Sequence, residues 1–180
     1  MFHAVMIMLV VLSLFFLSAC ASNEPYIKHN TKTEEVINEK DLPPKVSQAL
    51  SKEYSKEGLV YKRKRKDGVT GYVIEYKKDK EKFAIAYSED GKLLKEEKEI
   101  EFSDIPRSIR TSVDKKISSY YPGYKIISVE KAYIHQEMLL EIVFSHPESE
   151  TGLVEAAFGY RTGTFREFIN IKMESIETLY

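Results

Sequence analysis

Through most of residues 59–173 apolar side chains alternate with polar ones, and twice that alternation is preceded by a stretch with helical spacing. A period of two puts one set of side chains on each face of a pleated strand, so these runs fit half-buried antiparallel sheet and little else. In the first copy, Asp41-Leu42-Pro43-Pro44 suits a helix start, because proline N–H groups are not needed in a first turn. Leu42, Val46, Ala49, Leu50 and Tyr54 then share one helical face, and Gly58 ends it. Strands are predicted over 59–65, 72–77 and 82–88 and from Lys92 onward, with turns at Asp67-Gly68 and Asp90-Gly91. Tyr72, Ile74, Tyr76, Phe83, Ile85 and Tyr87 face the helix; Val73, Glu75 and Lys77 face away.

The second copy follows the same grammar. Ser103 or Asp104 caps a helix with apolar positions Ile105, Ile109, Val113, Ile117 and Tyr120 or Tyr121, stopped by Pro122-Gly123. Strands are predicted over 124–133, 138–144, 153–160 and 164–173. Met138, Leu140, Ile142, Val154, Ala156 and Phe158 form its helix-facing set. The expected fold class is therefore α+β: two tandem units, each a helix packed on a four-stranded antiparallel meander sheet. A unit of about 60 residues buries only about 60% of its unfolded surface and is marginal alone, so the two are expected to share one body.

Residues 4–17 are apolar apart from Ser13. As a helix they rise about 21 Å, short of a roughly 30 Å hydrocarbon core, which suits an export signal better than a membrane span. Leu17-Ser18-Ala19-Cys20 follows and resembles the bacterial lipobox, which is cleaved before a cysteine that becomes lipidated. Cys20 is the only cysteine, so no intramolecular disulfide forms. Residues 21–40 are mostly charged and polar and read as a tether. The domain reading is thus 1–19 lipoprotein signal peptide, 20–40 lipidated Cys20 and flexible tether, 41–100 first repeat and 101–180 second repeat.

A helix led by Leu42-Pro43 or Ile105-Pro106, the Tyr121-Pro122-Gly123 stop, and a meander with Gly turns at Asp90-Gly91 and Thr162-Gly163 together resemble the PepSY-like repeat. In tandem they are similar to the beta-lactamase-inhibitor-like group of secreted and lipoprotein modules. The first copy departs at its helix end, where Ser55-Lys56-Glu57-Gly58 stands instead of Pro-Gly. The resemblance implies binding or inhibitory modules and carries no catalytic residues over.

The candidate sites are few. The run Lys62-Arg63-Lys64-Arg65-Lys66 either contacts anions such as lipid head groups and acidic glycans or protects an edge strand; its place at the start of a meander favours protection. On the sheet face away from the helices, Leu139, Glu141, Val143, Leu153 and Glu155 mix aliphatic and charged groups, as contact surfaces do. If Val143 pairs with Leu153, Glu141 lies opposite Glu155, and paired carboxylates can shift a pKa or hold a metal. No His or third acid is predicted beside them, and His135 and His146 have no ligand spacing, so no catalytic residue, metal or cofactor is expected.

A net charge of -1 excludes a strongly basic nucleic-acid binder. The expectation is a non-enzymatic, lipid-anchored binding or inhibitory module of the cell envelope that recognises an exported protein or peptide; the alternative is a structural or assembly subunit of an envelope complex. The membrane is reached through acyl chains on Cys20. If the source has two membranes the outer one is expected, because Ala21 rather than Asp follows the cysteine.

Overall fold

Among the described residues nine strands form one closed sheet, and two helices lie on its outside. A computed structural model of the chain describes residues 30–51 and 58–174. The segment read as an export signal, Cys20, Tyr54 and the last six residues lie outside the described residues.

Strand β1 (Asn30–Ile37) leads through a 3-10 turn (Glu39–Asp41) into helix α1 (Pro44–Ser51). Strands β2 (Val60–Lys66), β3 (Val69–Lys78), β4 (Glu81–Ser88) and β5 (Leu93–Glu99) follow. A second 3-10 turn (Phe102–Asp104) precedes helix α2 (Arg107–Ser118). Strands β6 (Lys125–Ile134), β7 (Glu137–Ser145), β8 (Leu153–Gly159) and β9 (Phe165–Glu174) complete the chain. Each strand from β1 to β9 pairs antiparallel with the next, and β1 closes the barrel by running parallel to β9.

The expectation of two tandem helix-and-four-strand units is overturned. The sheet is continuous across the presumed boundary, with Glu96 opposite Tyr133 and Glu99 opposite Glu130. The ninth strand comes from 30–37, within the stretch read as a tether. Its residues are polar, but Lys32 pairs with Lys66 of β2 and with Ile171 of β9, so its backbone is satisfied on both sides. It follows that β2 is not an edge strand, and the edge-protection reading of its lysines is corrected with it.

The large apolar side chains point outward, beneath the helices. Val46 and Leu50 of α1 pack on Tyr61, Tyr72, Ile74, Ile85 and Tyr87, joined by Ile37 and Leu42. Ile109, Val113 and Ile117 of α2 pack on Leu140, Ile142, Phe144, Val154, Phe158 and Phe168. These are the helix-facing sets that the alternation predicts, with Tyr76, Phe83 and Met138 only half-buried. Proline at 43, 44 and 106 removes N–H groups that would lack an intrahelical partner at each helix start, and the Pro106 carbonyl accepts from the Ile109 and Arg110 N–H groups.

The inward face instead carries Gly71, Ala84, Ala86, Ala132 and Ala157 beside long charged side chains. The small residues leave the room that those side chains fill. Register shifts at Ala86/Tyr87, Ile126/Ser128 and Ala157/Phe158 bend three strands, as closing a sheet requires.

Candidate functional site: a charged barrel interior with one open mouth

Of the ionisable groups that the strand register places on the inward face, eight form one cluster: Lys32 and Glu34 of β1, Lys64 of β2, Lys95 and Glu97 of β5, Glu130 of β6, Glu141 of β7 and Glu155 of β8. They meet across the barrel rather than along it. Lys32 Nζ lies 2.5 Å from Glu155 Oε2 and 3.1 Å from Glu34 Oε1. Lys64 Nζ also reaches Glu34, at 3.2 Å. Lys95 Nζ sits 2.5 Å from Glu97 and 2.8 Å from Glu141.

Burial penalises the charges of Lys32, Lys95 and the five carboxyls, and the ion pairs decide which survive it. Burial alone lowers the pKa of Lys32, but Glu155 and Glu34 outweigh it and hold the ammonium above the usual lysine value. Lys95 is raised in the same way by Glu97 and Glu141. Burial pushes Glu97 up, yet Lys95 and Lys64 prevail and hold it at about 2. Glu34 and Glu155 are likewise held below the ordinary carboxylate value by their lysines.

Two carboxyls go the other way. Burial, then repulsion from Glu97, raises Glu130 to about 7. Burial raises Glu141 to about 8 against the pull of Lys95, with Glu155 and Glu97 adding repulsion. In this cluster three ammonium groups face five carboxyls, and the two that are raised, Glu130 and Glu141, stand directly opposite in the register.

Glu97, Glu130 and Glu141 each place a carboxylate oxygen within 4.8 Å of the other two. By spacing that trio suits a hard cation. Lys95 already stands against two of the three, so an internal ammonium takes the position a metal ion would need.

The barrel opens at the end where β2 begins and β3 and β5 finish. The mouth is a cavity of about 710 Å³, lined by Val60, Lys62, Glu75, Lys82, Glu99 and Ser128, with Glu97 and Glu130 deeper in. Lys62 pairs with Glu75, and Lys82 with Glu99 at 2.8 Å, across its rim. A smaller hollow of about 320 Å³ lies by β4, β5 and β6, lined by Tyr76, Phe83, Glu96, Lys98, Lys131 and Tyr133. Tyr76 and Phe83 stack there with centroids 5.3 Å apart.

The residues singled out from sequence fall as follows. Glu141 and Glu155 are buried inside the barrel, and Leu139, Val143 and Leu153 are half-buried beside them. The expected register is corrected: Val143 faces Glu155 and Leu153 faces Ser145, so Glu141 stands opposite Ala157 and Glu130 instead. In the basic run, Lys62, Lys64 and Lys66 turn inward, onto Glu75, Glu34 and Glu167, while Arg63 and Arg65 turn outward onto Glu35 and Glu174. All five cations end on a carboxylate.

His146 is buried, and its ring accepts from the Glu148 N–H and bonds the Pro122 carbonyl, so it pins the β7–β8 loop to the end of α2. Sequence reasoning missed the interior partners Lys32, Glu34, Lys95, Glu97 and Glu130. The available signal was lysine or glutamate recurring at every second position, as in Lys62, Lys64 and Lys66.

No protein-family model matches the chain, so the PepSY-like repeat finds no support there, and no curated protein matches either. Solved structures do. A protein of suggested periplasmic location from Bacteroides eggerthii is 14% identical, with a TM-score of 0.50 over 71% of this chain and 87% of that one. A BLIP-like protein from Bacteroides fragilis is 16% identical, with a TM-score of 0.46 over 76% and 90%. A DUF2874 family protein from Bacteroides ovatus is 12% identical, with a TM-score of 0.49 over 71% and 86%. At 14% identity the likeness to the Bacteroides eggerthii protein extends to the fold alone.

Proposed function

We propose that this chain is a non-enzymatic, lipid-anchored binding module of the cell envelope that holds an exported protein or peptide at the mouth of its barrel. The observation that carries the reading is the mouth itself: a cavity of about 710 Å³ whose rim mixes paired charges with Val60, Tyr76 and Phe83. Its size is that of a recognition site, and apolar surface framed by polar groups is how recognition sites are built. Among the described residues the interior brings no His to its carboxyls, and its lysines are consumed in ion pairs, which favours binding over catalysis.

The envelope address rests on the apolar run before Leu17-Ser18-Ala19-Cys20 and is in keeping with the suggested location of the Bacteroides eggerthii protein. Acyl chains on Cys20 would hold the barrel at the membrane, the outer one in a source with two, since several chains anchor firmly where one does not.

A photo-crosslinking residue at Lys77, on the mouth, tests the reading in intact cells. A discrete adduct with one exported protein is expected, and it should vanish when the crosslinker is moved to Lys125. Equal, diffuse labelling from both positions would remove the mouth as a binding site. Lipid labelling that persists in Cys20→Ser would remove the anchor.

A further inference from the structure

Strand β1 is held differently from the rest of the barrel. Of its eight residues only Ile37 is a buried apolar side chain; the other buried positions are Lys32 and Glu34. It makes the sole parallel pairing of the barrel, to β9, and an antiparallel one to β2. Its place is therefore fixed by backbone hydrogen bonds on both sides, by Ile37 under α1 and by the ion pairs of Lys32, Glu34 and Glu35. Backbone pairing is indifferent to sequence, so the side-chain pairs select this segment for the place, and Lys32 on Glu155 is the most buried of those that reach another strand.

Take β1 away and the place it leaves is well defined. It is bounded by the backbone edges of β2 and β9, with Glu155 across from Val143 and without its nearest cation. A strand that enters and buries that carboxylate again must bring it a cation. We propose that β1 is a resident occupant of a strand-accepting slot, and that an extended segment of an exported protein, carrying a lysine or arginine to meet Glu155, takes the slot in its place. This deepens the binding reading above and rests on it: the face formed by Leu139, Glu141, Val143, Leu153 and Glu155 is reached by a partner when β1 leaves. Partner binding and opening of the barrel are then one event, and the chain's own residues 30–37 act as the competitor that sets the threshold.

The probe is a labelled peptide of the sequence of residues 30–37, titrated by fluorescence anisotropy into the full chain in detergent micelles. Lys32→Met in the chain weakens the resident strand and leaves Glu155 intact, so it should tighten peptide binding at least tenfold. Exchanging the peptide's lysine for methionine should abolish binding, and Glu155→Gln added to the Lys32→Met chain should cancel its gain. Peptide affinity that is unchanged by Lys32→Met, or indifferent to the peptide's lysine, overturns the proposal. So do dimers that form with concentration and ignore the peptide, which would give the slot to a second copy. Amide hydrogen exchange on the unsubstituted chain covers the case in which Lys32→Met does not fold. Amides of β1 should exchange at least tenfold faster than those of β3, and exchange of both only by global unfolding overturns the slot. A Lys77 crosslink that survives any of these failures keeps the mouth and loses only the slot.

Discussion

Lys32 Nζ and Glu155 Oε2 lie 2.5 Å apart inside the barrel, although 123 positions separate them in the chain. That pair joins the first described strand to the last hairpin. Removing one partner strands a buried charge, so Lys32→Met should destabilise the fold by about 3–5 kcal/mol. Replacing both, as Lys32→Met with Glu155→Met, should recover most of the loss. Urea unfolding of the four chains of the double-mutant cycle measures it; equal losses for the single and double variants would show that the pair is not coupled.

The interior carboxyls set a pH profile whose sign follows from their direction. Glu130 and Glu141 are raised, to about 7 and about 8, so between the ordinary carboxylate range and those values the folded chain binds protons that the unfolded chain has lost. Stability therefore falls as pH rises from about 4.5 to about 8. Glu97, held at about 2, contributes stability above its ordinary value that is lost as pH drops toward 2. Thermal unfolding should be most resistant at mildly acidic pH, and Glu141→Gln should flatten the alkaline limb while leaving the acid limb in place.

Leu139→Glu with Val143→Glu puts two further carboxylates on the inward face, one of them across from Glu155. The double variant should lose cooperative unfolding at pH 8 and regain part of it at pH 5, where added carboxyls protonate more readily when buried. Circular dichroism melts at the two pH values check this.

Gly91 tests how the β4–β5 turn meets α1. Its φ is +78°, and a Cβ there would stand 2.7 Å from the Lys45 carbonyl oxygen. Gly68 has a similar φ of +76° and nothing within 4 Å of the same atom. Gly91→Ala should therefore cost about 1–3 kcal/mol more than Gly68→Ala, the excess being the clash rather than the backbone strain they share. Chemical denaturation of both variants separates the two effects.

Eight of the nine described strands and both helices can be read from the chain, because most of them bury large apolar side chains on one face and show it as a period, while β2 and β5 are marked by the turns at Asp67-Gly68 and Asp90-Gly91. Val154, Ala156 and Phe158 announce β8 in this way, and Ile109, Val113 and Ile117 announce α2. Strand β1 gives no such signal: Asn30-Thr31-Lys32-Thr33-Glu34-Glu35 places its buried members among charged residues, which composition assigns to solvent. The fold class failed at that one segment. With eight strands a sheet and its two helices divide into halves; the ninth, polar strand turns the shared face inward. The candidate site suffered in proportion. Glu141 and Glu155 were visible as a pair of acids on one face, but the lysines that neutralise or compete for them sit on β1 and β5, and nothing local in the sequence says that those strands come round to meet them.

The parallel seam between β1 and β9 orders events in time. Synthesis delivers Asn30–Ile37 before the other described strands and Phe165–Glu174 after them, so the earliest of these strands waits for its partner until all the others have been made. Both helix-covered halves are otherwise built from neighbours in sequence, and short loops close more readily than long ones. Seam closure is the step that brings Lys32 to Glu155. Until then the sheet is an open trough, and it becomes a closed vessel only when β1 meets β9.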